Sequence, residues 1–95
     1  MPFPRELTIR PFTNQAVESI AEDQLGVYGI FKEGVWIYIG SGDIRERMTD
    51  HLAGDIPCIL NHRATDWVGW VTNDYKRLEK ELIVEFQPVC NQRVG

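Results

Sequence analysis

Residues 25–40 read Leu25-Gly26-Val27-Tyr28-Gly29-Ile30-Phe31-Lys32-Glu33-Gly34-Val35-Trp36-Ile37-Tyr38-Ile39-Gly40. Two runs rich in β-branched and aromatic residues, 25–31 and 35–40, flank Lys32-Glu33-Gly34, which predicts a β-hairpin. The length of the connection decides which side chains share a face, because a one-residue slip turns every side chain over. With a loop of Glu33-Gly34 alone, Tyr28 pairs with Ile39, and Tyr28 and Tyr38 face opposite sides. With a loop of Lys32-Glu33-Gly34, Phe31 pairs with Val35 and Tyr28 falls opposite Tyr38. The longer loop wants a left-handed residue at its end, and Gly34 supplies one. The expected hairpin therefore sets its two tyrosines side by side, an arrangement that also serves as plain cross-strand packing.

Working outward, Ser41 and Gly42 end the second strand, and Asp43 is a good N-cap for a helix from Ile44 to Ala53 that Gly54 stops. Asp55-Ile56-Pro57 reads as a new cap with proline early in a brief helix reaching about Arg63. Trp67 to Thr72 forms a third strand. Asn73 or Asp74 then caps a helix from Tyr75 to Phe86, which Pro88 prevents from continuing. Upstream, residues 5–12 suggest a short edge strand stopped by Pro11, followed by a helix capped by Thr13 or Asn14 and running through Val17, Ile20 and Ala21. The expected class is α+β: a small antiparallel three-stranded sheet in β-β-α-β-α order, flanked by helices. Residues 1–24 form an N-terminal strand and helix extension packed on a domain of residues 25–95, a single domain overall.

The whole chain has 95 residues, enough for one modest core. No apolar run approaches a membrane span, and the N-terminus lacks the apolar region of a signal peptide. Two cysteines, Cys58 and Cys90, are too few for a disulfide-stapled fold, and the expectation is two reduced thiols in a cytoplasmic protein. Fourteen acids against ten bases leave a net charge of −4, the wrong sign for a freestanding nucleic-acid binder.

Two helices carry polar residues where apolar ones are expected. On the last helix Tyr75, Leu78, Leu82, Ile83 and Phe86 form one stripe, and Glu79 falls inside it. A carboxylate there must be neutral, paired or metal-bound, and a rim salt bridge is the plainer alternative. On the helix from Ile44, the residues Ile44, Met48 and Leu52 form the buried face. Arg47 and His51 share one boundary at i, i+4 spacing, which in the plainer reading is a surface pair. Cys58, His62, His51 and Cys90 sketch a zinc site, but Cys58-x-x-x-His62 lacks a matching second pair. Trp36, Trp67 and Trp70 fit core positions better than base-stacking platforms.

Gly26-Val27-Tyr28 and Tyr38-Ile39-Gly40, with nine residues between the tyrosines, resemble the signature of the GIY-YIG nuclease superfamily. Ile44-Arg45-Glu46-Arg47 resembles the family's first helix, with Arg47 at the catalytic arginine. His51 falls where members carry histidine or tyrosine, Glu79 at the metal-binding glutamate, and Asn91 at the closing asparagine. The resemblance covers residues 25–91. Ser41 departs from it, standing where many members carry lysine or glutamine, and the segment from Gly40 to the helix is one residue shorter than in the excision-repair members.

The resemblance implies a metal-dependent DNA endonuclease. Its site residues would be Tyr28, Tyr38, Arg47, His51, Glu79 and Asn91, with one divalent ion, Mg²⁺ or Mn²⁺, on Glu79. One tyrosine takes a proton from the attacking water, Arg47 holds the phosphate, and a 3′-hydroxyl and 5′-phosphate result. A free phenol ionises near pH 10, so nearby cations must lower it for that role. A catalytically idle module that binds nucleic acid or a partner protein is the alternative. The partners expected are DNA, with a second copy of the chain or a DNA-binding subunit supplying the affinity that a net charge of −4 lacks; Arg45, Arg47, His62 and Arg63 are expected to form a basic cleft mouth flanking the site, set against an acidic back of Glu18, Glu22 and Asp23.

Overall fold

The structure is a computed structural model and describes residues 3, 4 and 7–91. Its elements are β1 (Arg10–Pro11), α1 (Asn14–Glu18), β2 (Leu25–Lys32), β3 (Val35–Asp43), α2 (Ile44–Leu52), α3 (Pro57–Asn61), β4 (Asp66–Val71) and α4 (Tyr75–Phe86). The class is α+β as expected, but the sheet has four antiparallel strands in the order β1-β4-β2-β3 rather than three. The fourth is the N-terminal segment, which joins the sheet instead of only packing on it. The edge strand expected over residues 5–12 contracts to Arg10 and Pro11, paired with Trp67 and Asp66; positions 5 and 6 lie outside the described residues. Pro11, with no N–H to donate, is tolerated because β1 is an edge strand.

The local rules place most boundaries. The Asp43 carboxylate accepts the Glu46 N–H at 3.1 Å, and Thr13 Oγ1 accepts the Ala16 N–H at 3.2 Å, so both caps form as read. Gly54 takes a positive φ of 95° just past α2. Asp55 does not cap α3: Ile56 holds the N-cap position without a side-chain bond, and Pro57 opens the helix. The Asp55 carboxylate is drawn away by His51 instead.

The hairpin corrects the loop reading while keeping its consequence for the faces. Lys32 pairs with Val35, so the turn is the two residues Glu33 and Gly34, both at positive φ (48° and 79°). That register alone would send the tyrosines to opposite faces. Between Phe31↔Trp36 and Ile30↔Tyr38 the register shifts by one, leaving Ile37 as an extra residue on β3. This β-bulge restores the parity. Tyr28 then pairs with Gly40 rather than directly with Tyr38, and the two phenol rings lie diagonally, their centroids 6.5 Å apart.

Each face of the sheet buries its own cluster. One face packs Tyr28, Ile30, Ile37 and Trp67 against Ile44 and Met48 of α2, with Ile59 of α3 and Val17 of α1. The other packs Val27 and Ile39 against Leu78 and Leu82 of α4. The outer edge of β3 is covered by the segment after α4, where Val89 and Cys90 donate their N–H groups to the carbonyls of Trp36 and Ile37. Covering an edge in this way removes an open pairing surface.

That same segment overturns the reduced-thiol reading. Cys58, in the first turn of α3, and Cys90 have Cα atoms 5.7 Å apart and form a disulfide across 32 positions of sequence. Spacing along the chain carried no sign of it, because the pairing is set by how α3 and the β3 edge meet. No helix among the described residues is long and apolar enough to cross a membrane.

Candidate active site

The site grows from Tyr28 at the centre of β2. Its neighbour on β3 is Gly40, and the absence of a side chain there lets the Tyr28 ring lie across that strand: a Cβ at position 40 would run into the Tyr28 hydroxyl and ring. The Tyr28 side chain is fully buried, and its hydroxyl lies 2.7 Å from His51 Nε2. His51, on the last turn of α2, is also fully buried, and its Nδ1 lies 2.8 Å from Asp55 Oδ1.

With the imidazole neutral, as its burial favours, these partners assign the protons. The carboxylate can only accept, so Nδ1 carries hydrogen and donates to Asp55. Nε2 is then the lone-pair nitrogen and accepts from the Tyr28 hydroxyl. The result is a relay Tyr28–His51–Asp55 with the sense O–H···N, N–H···O. Tyr38 sits against the same imidazole edge-on, ring centroids 5.1 Å apart. Arg47, one turn before His51, reaches Asp50 at 3.3 Å and the second oxygen of Asp55 at 3.6 Å, with 38% of its side chain exposed. The reading of Arg47 and His51 as a surface pair fails: the arginine is at the surface, but the histidine is in the core.

Burial pushes the Tyr28 phenol well above its ordinary 10; the neighbouring Tyr38 and the Glu79 charge push the same way, while the Arg47 guanidinium opposes them. Tyr28 is therefore a phenol at neutral pH, contrary to the expectation that nearby cations lower it. Burial also moves His51 below its ordinary 6.5, the Asp55 carboxylate only partly offsetting it. The imidazole is neutral at pH 7 and able to accept a proton.

A depressed histidine couples folding to acid. Below 6.5 the unfolded chain takes up a proton that folded His51 refuses, so stability is fully present above that pH and falls as the pH drops towards the lower folded value. The urea midpoint is expected to decline as the pH falls through 6.5 and below, and the His51→Gln variant to show a flatter decline over the same interval. Parallel slopes would dismiss the assignment to His51.

Glu79 lies on α4, across the sheet from α2. Its partner among the described residues is a hydroxyl rather than a cation, so no rim salt bridge forms among them: Ser41 Oγ donates to Glu79 Oε1 at 2.5 Å. Ser41 follows Gly40 directly, which brings the carboxylate to the strand beneath Tyr28, close enough for its charge to be felt there. Asn91 is placed differently. Its side chain accepts the Ile39 N–H at 2.7 Å and donates to the Ile39 carbonyl at 2.8 Å, copying a strand partner along the β3 edge. It holds the backbone between Tyr38 and Gly40 and acts on the site through that strand.

Tyr28, Tyr38, Arg47 and His51 are thus brought together, Glu79 is joined to them through Ser41, and Asn91 braces β3. Asp55 and Ser41 were not singled out as site residues by sequence. The four-residue spacing from His51 to Asp55 was visible, but Gly54 breaks the helix between them, so helical projection had no reason to pair them. Arg45 is bound to Glu22 at 3.2 Å, and both line a surface notch beside α2 in which the acids Glu22, Asp23, Asp43, Glu46 and Asp50 outnumber Arg45, with Thr49 completing the lining. The expected separation of a basic mouth from an acidic back is therefore not kept at Arg45. No family model matches the chain, and neither a curated protein nor a solved structure matches it.

Proposed function

We propose that the chain is a GIY-YIG-type, metal-dependent DNA endonuclease of the cytoplasm. The observation that carries this reading is the relay from Tyr28 through His51 to Asp55 beside a partly exposed arginine. Hydrolysis of a phosphodiester needs an activated water, neutralisation of charge at phosphorus and relief for the departing oxygen. Tyr28 accepts the proton of the attacking water as its own proton passes to His51 Nε2. The imidazolium that forms is held by Asp55. This removes the difficulty of the raised phenol, because Tyr28 never has to exist as a free phenolate before the attack. It also favours Tyr28 over Tyr38 as the base. Arg47, a permanently charged fork, lies over the non-bridging oxygens. Departure of the 3′-oxygen leaves a 3′-hydroxyl and a 5′-phosphate.

The donors around Glu79 suit a hard divalent ion. They are carboxylate and hydroxyl oxygens, with Oε1 engaged by Ser41, and Mg²⁺ or Mn²⁺ keeps most of its water when held by one carboxylate. Such an ion would supply Lewis-acid stabilisation of the departing oxygen. The expected result is cleavage of plasmid, flap or branched DNA with Mn²⁺ at low salt, abolished by chelation. The Glu79→Gln variant is expected to lose about 10²–10³-fold of that cleavage while remaining folded. Equal cleavage by the variant and the parent protein would discard the metal assignment.

The acidic notch beside Arg47's helix favours a second reading, a module that binds without cleaving. A protein of net charge −4 binds polyphosphate weakly and loses that binding steeply with salt. In the endonuclease reading, a second copy or a basic partner subunit supplies the missing affinity. Binding to DNA or to a protein without turnover, with or without that partner, would select the idle module.

A further inference from the structure

The disulfide has a third neighbour. The Sγ atoms of Cys58 and Cys90 and a ring nitrogen of His62 all lie within 4.8 Å of one another, the only group of three such donors this close among the described residues. Cys58 and His62 are one turn apart, and the His62 N–H closes on the Cys58 carbonyl at 3.1 Å, so both project from the same side of α3. Cys90 comes from a separate segment. Its backbone is held by the Ile37 carbonyl at 2.8 Å and by the paired bonds of Asn91 to Ile39.

From this placement we infer that Cys58, His62 and Cys90 form a binding site for a thiophilic divalent cation of the zinc class when the disulfide is reduced. Two thiolates and an imidazole are the soft and borderline donors such an ion selects. Ligand atoms around tetrahedral zinc stand roughly 3.3–3.8 Å apart, so the donors need only small side-chain adjustments once the sulfurs are freed. His62 is exposed and lines a notch of about 230 Å³ with Lys32, Glu33, Val35 and Ile37, leaving a fourth position open to water. This site is separate from Glu79, whose oxygen donors suit a hard ion.

The metal and the disulfide exclude each other, because both use the same sulfurs. Reduction by a thiol or phosphine delivers two electrons, opens the S–S bond and yields two thiols; binding the cation then releases their two protons. A small-molecule disulfide reverses this: it accepts two electrons from the thiolates, becomes two thiols by taking up two protons, and the cation leaves. In either state a cross-link joins the stretch after Asp55 to the residue before Asn91. The fold would then keep this clasp in both reducing and oxidising surroundings.

The test uses the full chain, reduced with a phosphine under anaerobic conditions and titrated with Co²⁺ and then Zn²⁺ against a chromophoric chelator. One equivalent is expected to bind with a thiolate-to-cobalt charge-transfer band, absent from the oxidised protein and from the Cys58→Ser, Cys90→Ser double variant. Loss of an outer-sphere partner typically weakens a metal site by 10–100-fold, so the His62→Ala variant is expected to bind Zn²⁺ at least about a hundredfold more weakly. Far-UV circular dichroism is read alongside. If the reduced protein unfolds and the metal refolds it, the site is supported as a folding cross-link. Equal affinity in the double variant, unchanged affinity in His62→Ala, or a reduced chain that Zn²⁺ neither binds nor refolds would each overturn the inference.

Discussion

The Tyr28→Phe variant is expected to cleave DNA about 10³-fold more slowly than the parent protein, within the range measured when a general base is removed. Only one atom is lost. The ring still packs across Gly40, and Ile30, Trp67 and Met48 still enclose it. The missing hydroxyl leaves His51 Nε2 buried without a donor, which costs roughly 1–3 kcal/mol of stability and not the fold. Single-turnover cleavage with Mn²⁺, compared with binding of the same DNA, separates the chemical loss from any loss of affinity. The Tyr38→Phe variant is the internal comparison: its ring touches the same imidazole, but it lacks Tyr28's bond to the base nitrogen. Asp55→Asn completes the series. It removes the carboxylate that fixes the imidazole tautomer and holds the imidazolium, so cleavage is expected to fall about 10²-fold. Cleavage within tenfold of the parent in Tyr28→Phe would remove Tyr28 as the base.

The relay shows which parts of the site could be read from the chain and which could not. Tyr28, Arg47 and His51 were placed by local rules, the strand alternation around Tyr28 and the helical projection from Ile44. Glu79 stood out because a carboxylate interrupted an apolar stripe. Its partner could not be named, since Ser41 reaches it only after the sheet has brought β3 over α4. The hairpin is the most instructive case. The shared face of the tyrosines was expected from a three-residue loop, yet it arises from a two-residue turn plus a bulge at Ile37. Both give the same parity, and hydrophobic patterning constrains parity far more strongly than the place where the extra residue is accommodated. The disulfide and Asp55 were hidden for a common reason. Each depends on the path of the chain after Gly54, where no periodic pattern applies, and on contacts made across the finished fold.

The Trp67→Ala variant is expected to lower stability by about 3–5 kcal/mol, the usual cost of emptying a fully buried large aromatic position. For a domain of this length that is a fall in Tm of roughly 12–40 °C. Trp67 is fully buried and pairs with Ile30 across β2 and β4, beneath the same cluster that encloses Tyr28. Its indole N–H donates to the Pro11 carbonyl at 3.0 Å, and its backbone pairs with Arg10. Removing it therefore does two things at once: it opens a cavity and releases the N-terminal strand, whose neighbours Phe12 and Val17 belong to the same core. Trp67→Phe separates the two effects, since it fills most of the volume but cannot donate to Pro11. Its expected cost is smaller, and amide exchange is expected to rise at Phe12 and Val17 before it rises in β2 or β3. Both variants are compared with the parent in the same redox state, because the Cys58–Cys90 cross-link restricts the unfolded chain in all three. If Trp67→Ala left residues 10–17 as protected as in the parent protein, the N-terminal segment would be held by its own contacts. Coupled loss of protection there and around Tyr28 would instead mean that the edge strand and the Tyr28–His51–Asp55 relay stand on one shared core.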